Sequence, residues 1–302
     1  MYIVGWFNPP LESLSRMNRK VQVRFLGDKG GVTRLSYPTS ESMRNWIFIL
    51  IFLIFIQCSD NGQEKRWLLN KDSLFTSIST EHFNLYTFEG HLSEKTKSNF
   101  LNERESAYRE ISNFFEIKTN LSFNIFLFKN EQIKYNLTGH KGFGWGFDNN
   151  IVEVFNDSIR IDPYHELAHV IGYTLNEPPA LIDEGIAVYL SQLYEDKAFS
   201  RLIGYPTKSI NEILLLLNKN KKVITISTLL SYNDIGDNLA YCTSASFVEF
   251  LIKEFGKQKF LELYKSLSNA NSDKNKMMFE KIYGVKFNQI ENKWTKQKYI
   301  NN

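Results

Sequence analysis

The run His165-Glu166-Leu167-Ala168-His169-Val170-Ile171 sets three ionisable side chains into an otherwise aliphatic stretch. Burying such groups without a common partner is costly. Residues four apart on a helix share a face, so both imidazoles can point at one place. Glu166, one position on from His165, projects about 100° round the axis and stands beside that place rather than on it. Two histidines holding a metal ion, with a carboxylate placed to take a proton from water, give this spacing its chemical sense. The bland alternative is a solvated helix with two surface histidines, but Leu-Ala-His-Val-Ile is not a solvated face. Any fold of this chain must therefore bury this helix and bring further groups back to it.

A catalytic zinc needs a third protein ligand and one open position. Pro178-Pro179 turns the chain, and Asp183-Glu184-Gly185-Ile186-Ala187-Val188-Tyr189 follows in a second apolar helix. Fifteen residues separate His169 from Glu184, enough to turn and return antiparallel. Glu184 is the preferred ligand and Asp183 its competitor. Adjacent helical residues diverge by about 100°, so only one of them can face the metal. Small Gly185 and Ala187 are expected to let this helix approach the metal helix closely.

Upstream, Phe83–Phe88 (FNLYTF) alternates apolar with polar and reads as a strand, as do Leu121–Phe128 and Ile151–Phe155. Residues 92–117 carry Phe100, Leu101, Ala107, Ile111, Phe114 and Phe115 at helical spacing. Glycines crowd between Gly139 and Gly146. Downstream, the first metal helix is expected to open at Asp162-Pro163 and run to about Tyr173, the second to about Leu193. Further helices are expected at 208–218, 238–255, 257–268, 273–283 and 287–299. The pattern is α+β, a small N-terminal mixed sheet subdomain ahead of a helical C-terminal half.

HELAH followed by PPALIDEGIAVYL resembles the gluzincin metallopeptidases of the peptidase MA-like group. In that group two zinc histidines precede a Glu in an E-G-x-A-x-Y helix. EHFNLYTF is similar to the family's opening strand, AYCTSASFVEFLIKEFG to a later helix, and YGVKFNQIENKWTKQKYI to its closing helix. The likeness spans roughly residues 80–300 and implies a zincin-like fold, Zn2+ on His165, His169 and Glu184, and Glu166 as general base. It also implies a substrate-binding edge strand just before the zinc helix, where Gly142-Phe143-Gly144-Trp145-Gly146-Phe147 lies; an aromatic hairpin packed on the core is the equal alternative for that segment. Family members place a Tyr or His from a later helix on the oxyanion. His82, His91 and His140 all precede the motif, so Tyr241 is the candidate here. One departure stands out. Thermolysin-type members carry an Asp four residues after the Glu ligand to support a zinc histidine; here that position is Val188, so support must come from elsewhere, for instance a backbone carbonyl.

The N-terminus has a different character. Trp46–Ile56 is eleven consecutive apolar residues. A membrane-spanning helix needs about twenty, whereas the core of a secretory signal runs roughly 7–15. With Met43-Arg44 before it and Cys58-Ser59-Asp60 after it, the run resembles a bacterial lipoprotein signal peptide, with Gln57 where a small residue is usual. Residues 1–57 are thus expected to be a leader, 43–57 a signal peptide and 1–42 outside the true start. Cys58 becomes the lipidated N-terminus, 58–66 a tether, and 67–302 the peptidase MA-like domain. A plain uncleaved anchor is the rival reading. Of 36 basic and 33 acidic residues, seven and three lie in the leader, leaving 29 against 30 in the body. That balance excludes a polycationic nucleic-acid surface, and two cysteines exclude a disulfide scaffold.

The expectation is an exported, lipid-anchored zinc metallopeptidase of the bacterial cell envelope, acting on a peptide or protein substrate. Its rivals are a non-catalytic zincin-fold lipoprotein used for binding and a zinc hydrolase of a non-peptide amide.

Overall fold

The computed structural model describes residues 66–299 apart from 119, 196, 219–223, 233 and 270. The signal peptide, Cys58 and nearly all of the tether lie outside the described residues.

A 3₁₀ turn at Arg66–Asn70 and α1 (Lys71–Leu74) lead into a five-stranded sheet. Its strands are β1 (Thr76–Ser79), β2 (Phe83–Thr87), β3 (Phe123–Phe128), β4 (Gly144–Phe147) and β5 (Asn150–Val154), in the order β1-β2-β3-β5-β4. The three central strands run parallel, and β1 and β4 are antiparallel edges. Side chains alternate between two cores, as the pleat requires. Phe83, Leu85, Phe123, Ile125, Leu127 and Ile151 face the helices. Tyr86, Phe126, Phe128, Trp145, Phe147 and Val152 face the other way, under Trp67 and Phe75.

Helix α2 (Glu94–Phe115) covers the inner face, its start capped by Ser93, whose hydroxyl accepts from the Thr96 N–H at 3.1 Å. A short α3 (Glu131–Thr138) links β3 to β4. The C-terminal half is helical: α4 (His165–Gly172), α5 (Ala180–Tyr194), α6 (Ala198–Leu202), α7 (Ile210–Asn218), α8 (Ile226–Leu229), α9 (Asn238–Phe255), α10 (Lys257–Ser266), α11 (Ser272–Tyr283) and α12 (Phe287–Tyr299). The fold is α+β, a mixed sheet followed by a helical half. Among the described residues no helix is long and apolar enough to cross a membrane.

One expectation is corrected. Gly185 does not ease α5 toward α4: a Cβ there would meet the Ser244 carbonyl oxygen and Val248 Cγ2, each at 2.7 Å. Both belong to α9, so the glycine permits the α5–α9 crossing. Its place one helical step from Glu184 explains this, since it projects about 100° away from the face turned to α4.

Candidate metal centre

Helix α4 begins at His165, two residues after Pro163, with Tyr164 at its N-cap. Asp162 holds the approach to it. Its Oδ1 accepts from the N–H groups of Tyr164 at 2.9 Å and His165 at 3.1 Å, and from the Ser191 hydroxyl of α5 at 2.8 Å. One carboxylate thus starts α4 and ties it to α5, offsetting the orphan donors of the first turn. The Tyr164 hydroxyl donates to Glu110 Oε2 of α2 at 2.7 Å, fixing the helix from the other side.

On this frame the structure brings His165, His169 and Glu184 together, with one ligand atom from each inside a 4.8 Å group. Glu184 Oε2 lies 3.4 Å from His165 Nε2 and 3.3 Å from His169 Nε2. Groups held at about 2.0–2.2 Å by a tetrahedral ion stand about 3.3–3.6 Å apart, so the spacing suits zinc. All three atoms are buried and have no hydrogen-bond partner among the described residues. Two imidazole nitrogens and one carboxylate oxygen at this spacing are an N,N,O ligand set for a cation. Burial works against the Glu184 carboxylate, but the His169 and His165 imidazoles outweigh it and hold its pKa below the ordinary carboxylate value.

Asp183 has a different place. Its Oδ1 lies 3.1 Å from His169 Nδ1, while its Oδ2 accepts from the Tyr173 hydroxyl at 2.7 Å. The approach is an ion-pair contact, and a carboxylate there favours the imidazole proton on Nδ1, which would free Nε2 for a cation. The support expected from a backbone carbonyl thus comes from the side chain that competed with Glu184 as a ligand. The 100° divergence of adjacent helical residues sends one carboxylate to each nitrogen of the same ring. Tyr173 was not singled out by the sequence; its signal was its place four residues after His169, on the same helix face.

Glu166 is buried against the edge strand. A Cβ on Gly144 would lie 2.3 Å from Glu166 Oε1, and one on Gly146 would lie 3.1 Å from Val170 Cγ1. A larger residue at position 144 would force that carboxylate to shift. The strand has two distinct faces. Glycines meet α4, while Trp145 and Phe147 stack on the other side with centroids 4.1 Å apart. Among the described residues β4 pairs only with β5, so its outer edge is open. The segment is an edge strand of the sheet, and its aromatic side packs on the core.

Opposite Gly144 sits Glu153, in a buried ion pair with Arg104 of α2 at 2.7 Å. Burial pushes the Glu153 carboxyl up to about 7; Arg104 opposes the rise, and Glu166 and Asp162 add to it. A groove of about 690 Å³ opens at the N-terminal ends of β4 and α4, lined by Phe143, Ile161, Asp162, Glu195, Arg201 and Leu202 among others.

Tyr241, near the start of α9, is almost completely buried, its ring 6.4 Å from that of His165 and 5.7 Å from that of Phe199. Burial, then the carboxylates of Glu184, Asp234, Glu166 and Asp183, raise its pKa well above the ordinary value. The phenol is protonated throughout the neutral range.

No protein-family model matches the chain, and no curated protein matches it either. Solved structures of M1 zinc metallopeptidases resemble it loosely. The M1 zinc metallopeptidase from Deinococcus radiodurans aligns with a TM-score of 0.46 at 13% identity, over 74% of this chain and 50% of that one. A variant from the same organism bound to a Tyr-Ser-Ala substrate gives 0.45 at 12% identity, over 74% and 51%. A two-domain M1 zinc metallopeptidase variant bound to L-arginine gives 0.46 at 14% identity, over 72% and 50%. The chain spans about half the length of each of these structures.

Proposed function

We propose that this protein is a zinc-dependent peptide hydrolase of gluzincin type. The observation that carries the reading is the convergence of unpartnered His165 Nε2, His169 Nε2 and Glu184 Oε2, with the buried Glu166 carboxylate one helical step away. His165, His169 and Glu184 would hold zinc, with Asp183 orienting His169. Bound there, zinc would supply Lewis acidity, polarising a substrate carbonyl and lowering the pKa of water.

The chain's own residues do the rest. Glu166 accepts the proton of the attacking water and passes it to the leaving amine. Its carboxylate is kept against β4 by Gly144, so the proton acceptor lies beside the strand whose open edge can pair with an extended peptide. Tyr241 donates its phenolic hydrogen to the oxyanion. Zinc stoichiometry of the full chain, with casein and peptide hydrolysis before and after chelation, tests the reading. One tightly held zinc with chelator-sensitive cleavage supports it. Zinc without cleavage of any peptide favours a binding protein, and cleavage confined to non-peptide amides favours the other rival.

Tyr241→Phe is expected to lower kcat by about 10²–10³ with little change in KM, because the hydroxyl acts mainly in the transition state. A tyrosine that only fills space would leave kcat near wild type, since Phe has almost the same volume.

We further propose that the protein is exported and held to the bacterial cell envelope through an acylated Cys58. Expression from Met43 should give a membrane-associated product. Cys58→Ser should release it or leave it unprocessed. Unchanged mass and partitioning would identify the apolar run as a plain anchor.

A further inference from the structure

Lys134, on α3, is fully buried, a costly position for an ammonium group that needs a specific reason. Burial pushes its pKa down to about 8, with Glu166 and Glu131 opposing the fall. Among the described residues the hydrogen bonds of its ammonium group go to the short loop between α3 and β4. Its Nζ lies 3.1 Å from His140 Nδ1, 3.0 Å from the His140 carbonyl and 3.5 Å from the Lys141 carbonyl.

The same helix makes two more ties to that loop. Thr138 Oγ1 accepts from the His140 N–H at 3.1 Å, and Glu131 Oε1 accepts from the Gly142 N–H at 2.9 Å. Gly142 has φ +88, a turn that favours glycine, and β4 starts two residues later. The His140 ring stacks on Trp145 of β4 at 4.5 Å and 6°. The strand is thus gripped from its outer face by α3 and the stacked rings. On its inner face it rests on α4 with no room for a methyl group at Gly144.

We propose that Lys134 is a positioning residue that sets β4 at the height over α4 at which its open edge receives an extended peptide. The inference rests on the hydrolase reading above. An edge strand already held in place binds a peptide backbone without first being ordered, and that saved ordering appears as affinity. Lys134 makes no hydrogen bond to the proposed zinc ligands or to Glu166, and its charge acts on Glu166 alike whichever substrate is bound. The contribution it makes through the strand is equal in ground state and transition state. Such uniform binding lowers KM and leaves kcat alone.

The test is Lys134→Met in the full chain, assayed for zinc content, melting temperature, kcat and KM. The substrates are an extended peptide that spans β4 and a short one that does not reach along it. KM for the extended peptide should rise about tenfold, with zinc content held, any change in kcat common to both substrates, and KM for the short substrate unchanged. If Lys134→Met does not fold, Thr138→Val removes one loop tie without touching a charge and should give the same split at smaller amplitude. Wild-type KM for the extended peptide in the variant that folds overturns the inference, as does a parallel fall in kcat and zinc content for both substrates. A wild-type protein that cleaves nothing refutes the hydrolase reading instead.

Discussion

Glu166→Gln is expected to keep its zinc and lose nearly all turnover, with kcat falling by about 10²–10⁴-fold or more. The substitution is almost isosteric, so the buried space against Gly144 stays filled and α4 keeps its packing. The amide cannot accept a proton from water, so the step assigned to Glu166 is removed while His165, His169 and Glu184 are untouched. The KM for peptide should change little, because the lost interaction belongs to the transition state. Zinc content by mass spectrometry beside single-turnover cleavage decides it. Retained turnover with full zinc would remove Glu166 from the mechanism, and loss of zinc together with activity would make it structural.

How much of this site the sequence discloses depends on how local each interaction is. His165, Glu166 and His169 are legible because 3.6-residue periodicity alone puts them on adjacent faces of one helix. The approach of Glu184 is legible because Pro178-Pro179 and a second apolar helix leave the chain few ways to return. What lies across elements is harder. Position 185 had to be small, but only the packed structure says that α9 rather than α4 is the neighbour. β4 is suggested only by the resemblance, since Gly144 and Gly146 have low strand propensity and stand close over Glu166 and Val170. Helix α3 (EQIKYNLT) is eight residues with two buried positions, too short for a period to stand out, yet it sets the entry to β4. The Arg104–Glu153 pair is likewise invisible, since nothing in a strand read as apolar announces a partner 49 residues away. The longer C-terminal helices were easier because they carry several turns of pattern, and α9 is found at its expected bounds, Asn238–Phe255, whereas α6 and α8, of about one turn each, were not foreseen.

The adjacent carboxylates Asp183 and Glu184 give the second large effect, because the geometry assigns them different work. Glu184→Gln should abolish tight zinc binding: it removes the single anionic member of a three-ligand set and leaves two buried imidazoles to hold a dication. Asp183→Asn should weaken zinc affinity by about 10–100-fold without abolishing it, the range seen when a ligand's hydrogen-bonded partner is removed. The reason is specific to the two contacts made here. Asp183 turns one oxygen toward His169 Nδ1 and the other toward the Tyr173 hydroxyl. An Asn has one oxygen, so either the imidazole N–H or the phenol O–H then faces an amide N–H₂. With the ring less firmly held, its Nε2 is presented less well, and the charge that strengthens it as a ligand is gone. Tyr173→Phe, which frees one oxygen but keeps the carboxylate on His169, should cost less than Asp183→Asn. Competition titrations with a chelator of known zinc affinity separate the three variants. Equal losses in Asp183→Asn and Glu184→Gln would make Asp183 a direct ligand, and wild-type affinity in Asp183→Asn would leave His169 oriented by packing alone.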